Sequence, residues 1–156
     1  MNEISIFKFF KRHIKNTPNK SPVILQDIFI CNLTIAVKKA CKLNVLKVHI
    51  TSKIIKHLYD GKPAEEFDFT LKNIAAIVKY PDRIYKNRDS KRGDYCFVKL
   101  IGEFNYLASI ECSKIDSDNK PLEEKLFIVT CFRVRDINYL KKYELVWSWK
   151  GGRPSS

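Results

Sequence analysis

The spacing of apolar residues along this chain predicts helices in its first half and an antiparallel sheet in its second half. Residues 46–50 alternate apolar and polar side chains, which is typical of a half-exposed strand. Residues 51–61 and 64–78 repeat apolar side chains every three or four positions, so we predict a helix in each segment. Thr51 or Ser52 can cap the first helix, because a hydroxyl oxygen there accepts a hydrogen bond from a free backbone N–H.

After residue 94 the apolar residues recur at every second position. Four segments rich in β-branched and aromatic residues are predicted strands: YCFVKLIG, YLASIECSKI, KLFIVTCFRV and ELVWSWK. The first two are close enough in sequence to form a hairpin, and Asp136 can cap a short helix between the third and the fourth. Helices followed by such strands predict an α+β fold with a four-stranded antiparallel sheet.

The N-terminal part of the chain is organised differently. Residues 4–15 combine aromatic and cationic side chains in a pattern compatible with a short amphipathic helix, and residues 16–22 contain the turn residues of a linker. Residues 23–37 are mostly apolar and fit either a strand or a helix. We therefore predict a basic N-terminal extension or packing segment over residues 1–45, and one main domain over residues 46–156.

The net charge of +12 predicts an anionic partner. Residues 1–60 contain eleven Lys and Arg residues against three acidic residues, so the positive charge is concentrated in the N-terminal part. Nucleic acid is the leading partner class. Charged residues interrupt every apolar run before it reaches the length of a membrane span, so we expect neither a membrane partner nor a signal peptide.

The cysteine content bears on the compartment. The chain has five widely spaced cysteines and no C-x-x-C pair: Cys31, Cys41, Cys96, Cys112 and Cys131. Neither a disulfide framework nor a zinc site follows from this spacing. We therefore expect buried thiols in a reducing compartment, that is, a cytoplasmic protein.

Several kinds of active site lack their sequence signature here. The chain contains no phosphate-binding glycine loop, no His-Glu-x-x-His helix and no Gly-x-Ser-x-Gly segment. With three histidines and no close acidic cluster, it has few ligands for a two-metal nuclease centre. We therefore expect neither a metal ion nor a cofactor, and metal-free cleavage of RNA remains as a compatible reaction.

That reaction needs a base for the 2′-hydroxyl proton, an acid for the leaving oxygen, and donors or cations that stabilise the charge on the phosphorus group. His57 is the main candidate for proton transfer, because imidazole groups titrate near neutral pH and Lys53 precedes it by one helical turn. A histidine on a helix surface beside lysines is, however, more often simply solvated. His49, on the preceding strand, is the competing histidine.

Strand alternation supplies further polar side chains. Lys99 projects among apolar neighbours in its strand, and Glu111 lies in the next strand. Thr130 is expected on the same face as Ile128, which precedes it by two residues. A sheet face that carries Lys99, Glu111 and Thr130 together with Ser148 could hold a phosphate and a proton acceptor. The alternative is that these residues form the solvent side of an ordinary antiparallel sheet.

Seven cationic residues are candidates for RNA binding: Lys53, Arg88, Lys91, Arg92, Arg133, Arg135 and Arg153. Arg133 and Arg135 end the third predicted strand on the face opposite Thr130, where guanidinium groups could bind phosphates. The loop cations contact the RNA backbone without base specificity, or are simply solvated. Tyr139, Trp147 and Trp149 could stack on bases, although large aromatic residues in strands belong more often to the core.

Taken together, several segments resemble the phage-associated nuclease domains of the barnase, EndoU, colicin-tRNase and RelE-like superfamily, usually called PBECR. They are SKIIKHLYDGKP, IVKYPDRIY, FVK, SIE, IVTCFRVRDINYLKKYELVWSWK and the terminal PSS. The similarity covers residues 47–156 and extends to the order of elements, with helices that carry basic or histidine residues followed by a four-stranded antiparallel sheet.

This resemblance implies a metal-independent endoribonuclease that leaves a cyclic phosphate, deployed as a toxin or phage effector and paired with an immunity or antitoxin protein. It implies that His57 is the helix-borne acid or base, Lys99 the cationic strand residue, and Thr130 and Ser148 the polar residues of the last two strands. Glu111 is added as a catalytic candidate from its sheet face alone. The alternative function is a non-catalytic basic domain that binds RNA or another protein.

Overall fold

The computed structural model describes residues 5–87, 94–115 and 123–149. Within these ranges the chain forms a seven-stranded mixed sheet and four α-helices, which confirms the α+β class. The strands are β1 (Asp27–Asn32), β2 (Lys47–Thr51), β3 (Arg83–Lys86), β4 (Tyr95–Ile101), β5 (Phe104–Ile115), β6 (Glu123–Val134) and β7 (Glu144–Ser148). The helices are α1 (Ile6–His13), α2 (Ile35–Ala40), α3 (Ser52–Gly61) and α4 (Ala64–Lys79), and a 3₁₀ helix spans Ile137–Lys142.

The sheet is larger than the four-stranded antiparallel sheet expected from the sequence. Its order is β1-β2-β6-β5-β4-β3-β7, and the four expected strands correspond to β4, β5, β6 and β7. The strands β1, β2 and β3 complete the sheet, and β2 pairs with β6 in parallel while the other pairs are antiparallel. The parallel pair joins residues about 80 positions apart in sequence, which is why no local pattern reveals it.

The two predicted helices after β2 are confirmed as α3 and α4. The Thr51 hydroxyl caps α3 by accepting a hydrogen bond from the Ile54 N–H at 3.3 Å. The predicted cap at Asp136 is also present, since its carboxylate accepts the Asn138 N–H at 2.9 Å and begins the 3₁₀ helix. Short-range signals in the sequence therefore located these element boundaries correctly.

All four α-helices pack on one face of the sheet, which we call the helical face. Buried helix residues such as Ile55 and Ile77 share one core there with strand residues such as Ile50 and Phe97. The burial of large apolar side chains on this face is the main stabilising contribution to the fold.

Residues 5–45 contribute to this same core. Phe9 of α1 and Ile14 after it have no exposed surface, and β1 forms an edge of the sheet beside β2. The apolar segment 23–37, which fitted either a strand or a helix, supplies β1 and the start of α2. The N-terminal part thus packs as part of the described fold, and the domain boundary at residue 45 stays a prediction.

The opposite side of the sheet, which we call the distal face, has a smaller apolar cluster. Leu140 of the 3₁₀ helix packs there with Tyr85, Val98, Leu107 and Val134 from four strands. The 3₁₀ helix therefore covers one part of the distal face.

A β-bulge in β6 changes which residues reach the distal face. Ser109 pairs with Thr130 and Ile110 pairs with Ile128, so Val129 is an extra residue in β6. Ile128 consequently lies in the core of the helical face, while Thr130 lies on the distal face. The expectation that Thr130 and Ile128 share a face is wrong, because strict alternation breaks at the bulge.

A second bulge occurs where β3 pairs with β7, and it leaves Val146 as the extra residue. Trp147 packs against the core of the helical face, and Ser148 pairs with Arg83. The bulge therefore separates the side chain of Ser148 from that of Val146, contrary to regular alternation.

Cys31, Cys41, Cys96 and Cys131 are buried free thiols, and Cys112 is half-buried. Burial raises the pKa of the Cys31 thiol to about 11, although the charge of nearby Lys79 acts in the opposite direction. Burial also raises the pKa of the Cys41 thiol to about 12. These thiols therefore stay protonated at neutral pH.

None of the helices in the described ranges, residues 5–87, 94–115 and 123–149, combines the length and the apolar character of a membrane span.

Candidate active site on the distal face

A row of side chains crosses four neighbouring strands of the distal face. Phe29 of β1 pairs with His49 of β2, His49 with Phe127 of β6, and Phe127 with Glu111 of β5. The His49 ring lies 5.7 Å from the Phe29 ring and 6.1 Å from the Phe127 ring, measured between centroids. Because strands are about 4.8 Å apart, the backbones of His49 and Glu111 are about 10 Å apart. An imidazole and a carboxylate thus flank one aromatic ring.

Next to this row lies a cavity of about 250 Å³. Its walls include the hydroxyl residues Ser109 and Thr130, which pair across β5 and β6. The rings of Tyr139 and Tyr143 close the other side, and the Tyr143 hydroxyl lies 3.2 Å from that of Tyr139. The cavity therefore presents several hydroxyl groups within a partly apolar wall.

Lys142 adds a positive charge beside this cavity. Its ammonium nitrogen lies 4.4 Å from the ring centre of Tyr139 and 5.2 Å from that of Tyr143. Cys96 also lines the cavity, but burial raises the pKa of its thiol to about 11, although a hydrogen bond with Ser109 and the charge of Lys142 act in the opposite direction. A thiolate nucleophile is therefore disfavoured here at neutral pH.

Three further cations lie along the distal face. Lys47 and Lys125 follow the row, two residues from His49 and Phe127 on their own strands and on the same side of the sheet. On the other side of the cavity, but on the same face of the sheet, Arg83 of β3 donates hydrogen bonds to the Tyr85 hydroxyl at 3.0 Å and to Asn105 Oδ1 at 3.1 Å. Positive charge therefore borders both sides of the polar surface, as a site for an extended polyanion requires.

The structure divides the catalytic residues expected from the sequence between the two faces. Glu111 and Thr130 lie together on the distal face, Glu111 being two residues from the Ser109 that pairs with Thr130. Ser148 also points to this face, but it lies four strands from Thr130, which corresponds to about 19 Å.

Lys99 does not share this face, which corrects the expectation of one common surface. It follows Phe97 by two residues, and Phe97 lies in the core of the helical face. The Lys99 ammonium donates a hydrogen bond to the Tyr80 carbonyl oxygen at 2.8 Å, at the end of α4. Lys99 therefore lies on the side of the sheet opposite Thr130 and Glu111.

His57 also lies on the helical side. It is exposed on α3, in a groove of about 370 Å³ that Lys20, Lys53 and Asp60 help to form. Since α3 packs on the helical face, the sheet separates His57 from Thr130. His49, the competing histidine, lies on the distal face instead.

The three predicted RNA-binding residues that the structure describes, Lys53, Arg133 and Arg135, all lie on the helical side. Lys53 lies beside His57, and Arg135 forms an ion pair with Glu66 of α4 on the helical side. The Arg133 guanidinium lies 4.2 Å from the ring centre of Phe104, and the register places Arg133 opposite Thr130, as predicted. The ion pair with Glu66 places Arg135, which follows β6, on the same helical side. Arg88, Lys91, Arg92 and Arg153 lie outside the described residues.

Sequence reasoning missed the contributions of Lys142, Tyr143, Lys47 and Lys125. Lys142 and Tyr143 adjoin Tyr139, and their approach to Thr130 depends on how the 3₁₀ helix folds back over β5 and β6. The alternation of Lys47 with His49 was a usable signal for a shared face, but it did not identify which face of the sheet this is.

Among the described residues, no three His, Cys, Asp or Glu side chains are grouped so that they could hold a metal ion. Comparison with known proteins found no matching protein-family model, no matching curated protein and no matching solved structure.

Proposed function

We propose that the protein is a metal-independent endoribonuclease whose active site lies on the distal face. The observation that carries the proposal is the row of His49, Phe127 and Glu111 beside the hydroxyls of Thr130 and Ser109. It combines an acid and a base with hydroxyl donors, which together meet the requirements of 2′-hydroxyl attack. The net charge of +12 supports RNA as the substrate.

In the proposed reaction Glu111 removes the proton of the 2′-hydroxyl, which attacks the adjacent phosphorus atom. His49, in its protonated form, donates a proton to the leaving 5′-oxygen, so that a cyclic phosphate and a free hydroxyl result. The Thr130 hydroxyl and the Lys142 ammonium stabilise the negative charge that develops on the phosphorane oxygens. Phe127, half-buried between the two catalytic side chains, offers a ring on which a base can stack.

The resemblance of residues 47–156 to phage-associated nuclease domains supports the same activity. On the basis of this resemblance we also propose that the fold is related to that of the barnase, EndoU, colicin and RelE-like nucleases. We further propose that the protein is a toxin or phage effector that an immunity or antitoxin protein neutralises in the cytoplasm. In that family pattern the acid or base is helix-borne, at the position of His57. We assign this role to His49, because His57 lies across the sheet from Thr130.

The test is incubation of the purified protein with total RNA in the presence of EDTA. We expect fragments that end in a cyclic phosphate, and Glu111→Gln should reduce the cleavage rate by about 10² to 10⁴-fold. Glu103→Gln, in the exposed turn between β4 and β5, is the matched control and should cleave like the unmodified protein. Cleavage of DNA that requires added metal would instead indicate a DNase.

A second function, RNA binding without cleavage, is favoured by the separation of His49 from Glu111, because a whole strand lies between their backbones. Under this alternative the basic residues of the distal face hold RNA, but no proton transfer takes place. Intact RNA that the protein nevertheless retains in a binding assay would favour this function.

A further inference from the structure

We propose that a cavity on the helical face binds a small organic anion with an aromatic body. The cavity has a volume of about 510 Å³ and lies between α2, the end of α4, β4 and β7. This volume falls within the range of about 300–1,000 Å³ that is usual for small-molecule sites. The sheet separates it from the active site proposed above, and the proposal does not depend on that activity.

The walls of this cavity are mainly apolar and aromatic. Trp147 and Trp149 form one side, with their ring centres 6.3 Å apart and their planes inclined by 59°. Val37 of α2 and the residues Tyr80 and Pro81 after α4 form the other side. Inclined indole rings offer both a face and an edge to a flat aromatic ligand, which is a favourable arrangement for ring contacts.

The backbone around Asp82 fixes the shape of the cavity. The Asp82 N–H donates to the Val98 carbonyl at 2.8 Å, and the Asp82 carbonyl accepts the Trp149 N–H at 2.9 Å. Its carboxylate accepts the Leu100 N–H at 2.6 Å. Segments from α4, β4 and β7 are thereby held together, so the cavity is formed before a ligand binds.

The charges at the cavity favour an anionic group. Lys79 and Lys99 both line it, so two positive charges outweigh the single negative charge of the Asp82 carboxylate, which accepts the Leu100 N–H. Lys99 donates one N–H to the Tyr80 carbonyl, which leaves up to two of its three N–H groups for a ligand. A carboxylate placed against Lys99 would form charge-assisted hydrogen bonds at the edge of an otherwise apolar site.

The apolar walls favour a hydrocarbon-rich ring over a nucleotide. A nucleobase carries hydrogen-bonding groups on its edges, and burying them against indole and aliphatic side chains without partners costs free energy. An aryl-alkyl carboxylate has its only polar group at one end, where it can reach Lys99. We therefore assign this chemical class to the site.

Both tryptophans of the chain line the cavity, so intrinsic fluorescence reports directly on its occupancy. Titration with phenylbutyrate should change the tryptophan emission in a saturable way, and calorimetry should give the same dissociation constant. Phenylbutanol, which keeps the ring and chain but lacks the charge, should bind about tenfold more weakly or worse. Equal binding of the acid and the alcohol would overturn the anion-binding part of the proposal.

Two variants test the location. Lys99→Gln should weaken phenylbutyrate binding about tenfold and leave phenylbutanol binding unchanged. Ala36→Phe places a ring in the cavity and should abolish binding of both compounds, whereas Ile35→Phe, at the neighbouring exposed position outside the cavity, should bind both normally. Circular dichroism establishes that each variant is folded.

The proposal is overturned if phenylbutyrate shows no saturable binding, or if Lys99→Gln weakens the acid and the alcohol equally. Tighter binding of adenosine monophosphate than of phenylbutyrate would overturn the assignment to a hydrocarbon-rich anion, since it would identify the cavity as a nucleotide site.

Discussion

On the helical face Lys56, Lys99 and Arg135 each bind a group of the protein itself, namely the Asp60 carboxylate, the Tyr80 carbonyl and the Glu66 carboxylate. On the distal face the polar side chains of His49, Glu111 and Thr130 instead lie along one stretch of neighbouring strands. The difference shows that the role of a polar residue can be assigned only when the side of the sheet on which it lies is known. On the helical side these cations connect elements of the fold, and Lys99 also lines the cavity proposed to bind an anion, whereas on the distal face His49, Glu111 and Thr130 lie at the proposed active site.

Four predictions test this distinction, beginning with the largest expected effect. Phe9→Ala should lower the free energy of unfolding by about 3–5 kcal/mol, because it removes a ring with no exposed surface from the core of the helical face. Denaturant-induced unfolding measures the loss. Phe7→Ala, two residues earlier and 43% exposed, should cost less than about 1 kcal/mol. Equal losses in the two variants would show that α1 is not part of the core.

The second prediction concerns the distal face. Thr130→Val keeps the shape of the side chain but removes its hydroxyl, so cleavage of RNA should fall about 10²-fold. The rate of fragment formation in EDTA measures this effect. Thr17→Val, which removes a hydroxyl bound to the Ile14 carbonyl near α1, should leave the cleavage rate unchanged. If both variants cleave at the same rate, the Thr130 hydroxyl has no part in the reaction.

The third prediction is a pH effect on the helical side. Burial would raise the pKa of Asp60, but hydrogen bonds from Lys56 and from the Lys20 N–H, with the nearby charges of Lys56 and His57, hold it below its ordinary value of 3.8. A carboxyl group with a depressed pKa stabilises the fold above its ordinary pKa, and this contribution is lost as the pH falls through the depressed value.

Asp60→Asn should therefore lower the free energy of unfolding by about 1 kcal/mol at neutral pH, and the difference should disappear in acid. Urea denaturation at the two pH values is the measurement. Asp68→Asn is the matched control, because the Asp68–Lys72 pair is exposed and is worth less than about 0.5 kcal/mol. A loss from Asp60→Asn that persists unchanged in acid would contradict the proposed electrostatic origin.

The smallest expected effect compares cations on the two faces. Lys47→Gln should weaken RNA binding a few-fold and reduce the dependence of the binding constant on salt by about one counterion. Arg135→Gln should change neither quantity, because Arg135 is paired with Glu66 on the helical side. Affinity measured over a range of salt concentrations decides between them. A larger effect of Arg135→Gln would place the RNA on the helical face.

The elements that the sequence predicted correctly are those with local signals. A cap at Thr51, a repeating apolar stripe and a terminal glycine define α3, and Asp136 marks the beginning of the 3₁₀ helix. The strand β3 was missed because its four residues are too few to establish an alternation. The pairing of β2 with β6 was missed because it depends on contacts between distant segments.

The candidate site was predicted less well, and the bulge at Val129 explains part of this. Val129 lies within a run of β-branched and aromatic residues that predicts a regular strand, and no residue type in that run indicates a β-bulge. Thr130 was therefore placed on the face of Ile128. For Lys99 the alternation was regular, but the sequence did not indicate that the face of Phe97 is the one the helices cover.

The most direct test of the account compares His49→Ala with His57→Ala in the cleavage of RNA with EDTA present. If the active site lies on the distal face, His49→Ala should reduce the rate by about 10² to 10⁴-fold, while His57→Ala should stay within about threefold of the unmodified protein. The opposite result, with cleavage lost in His57→Ala and retained in His49→Ala, would contradict the central claim.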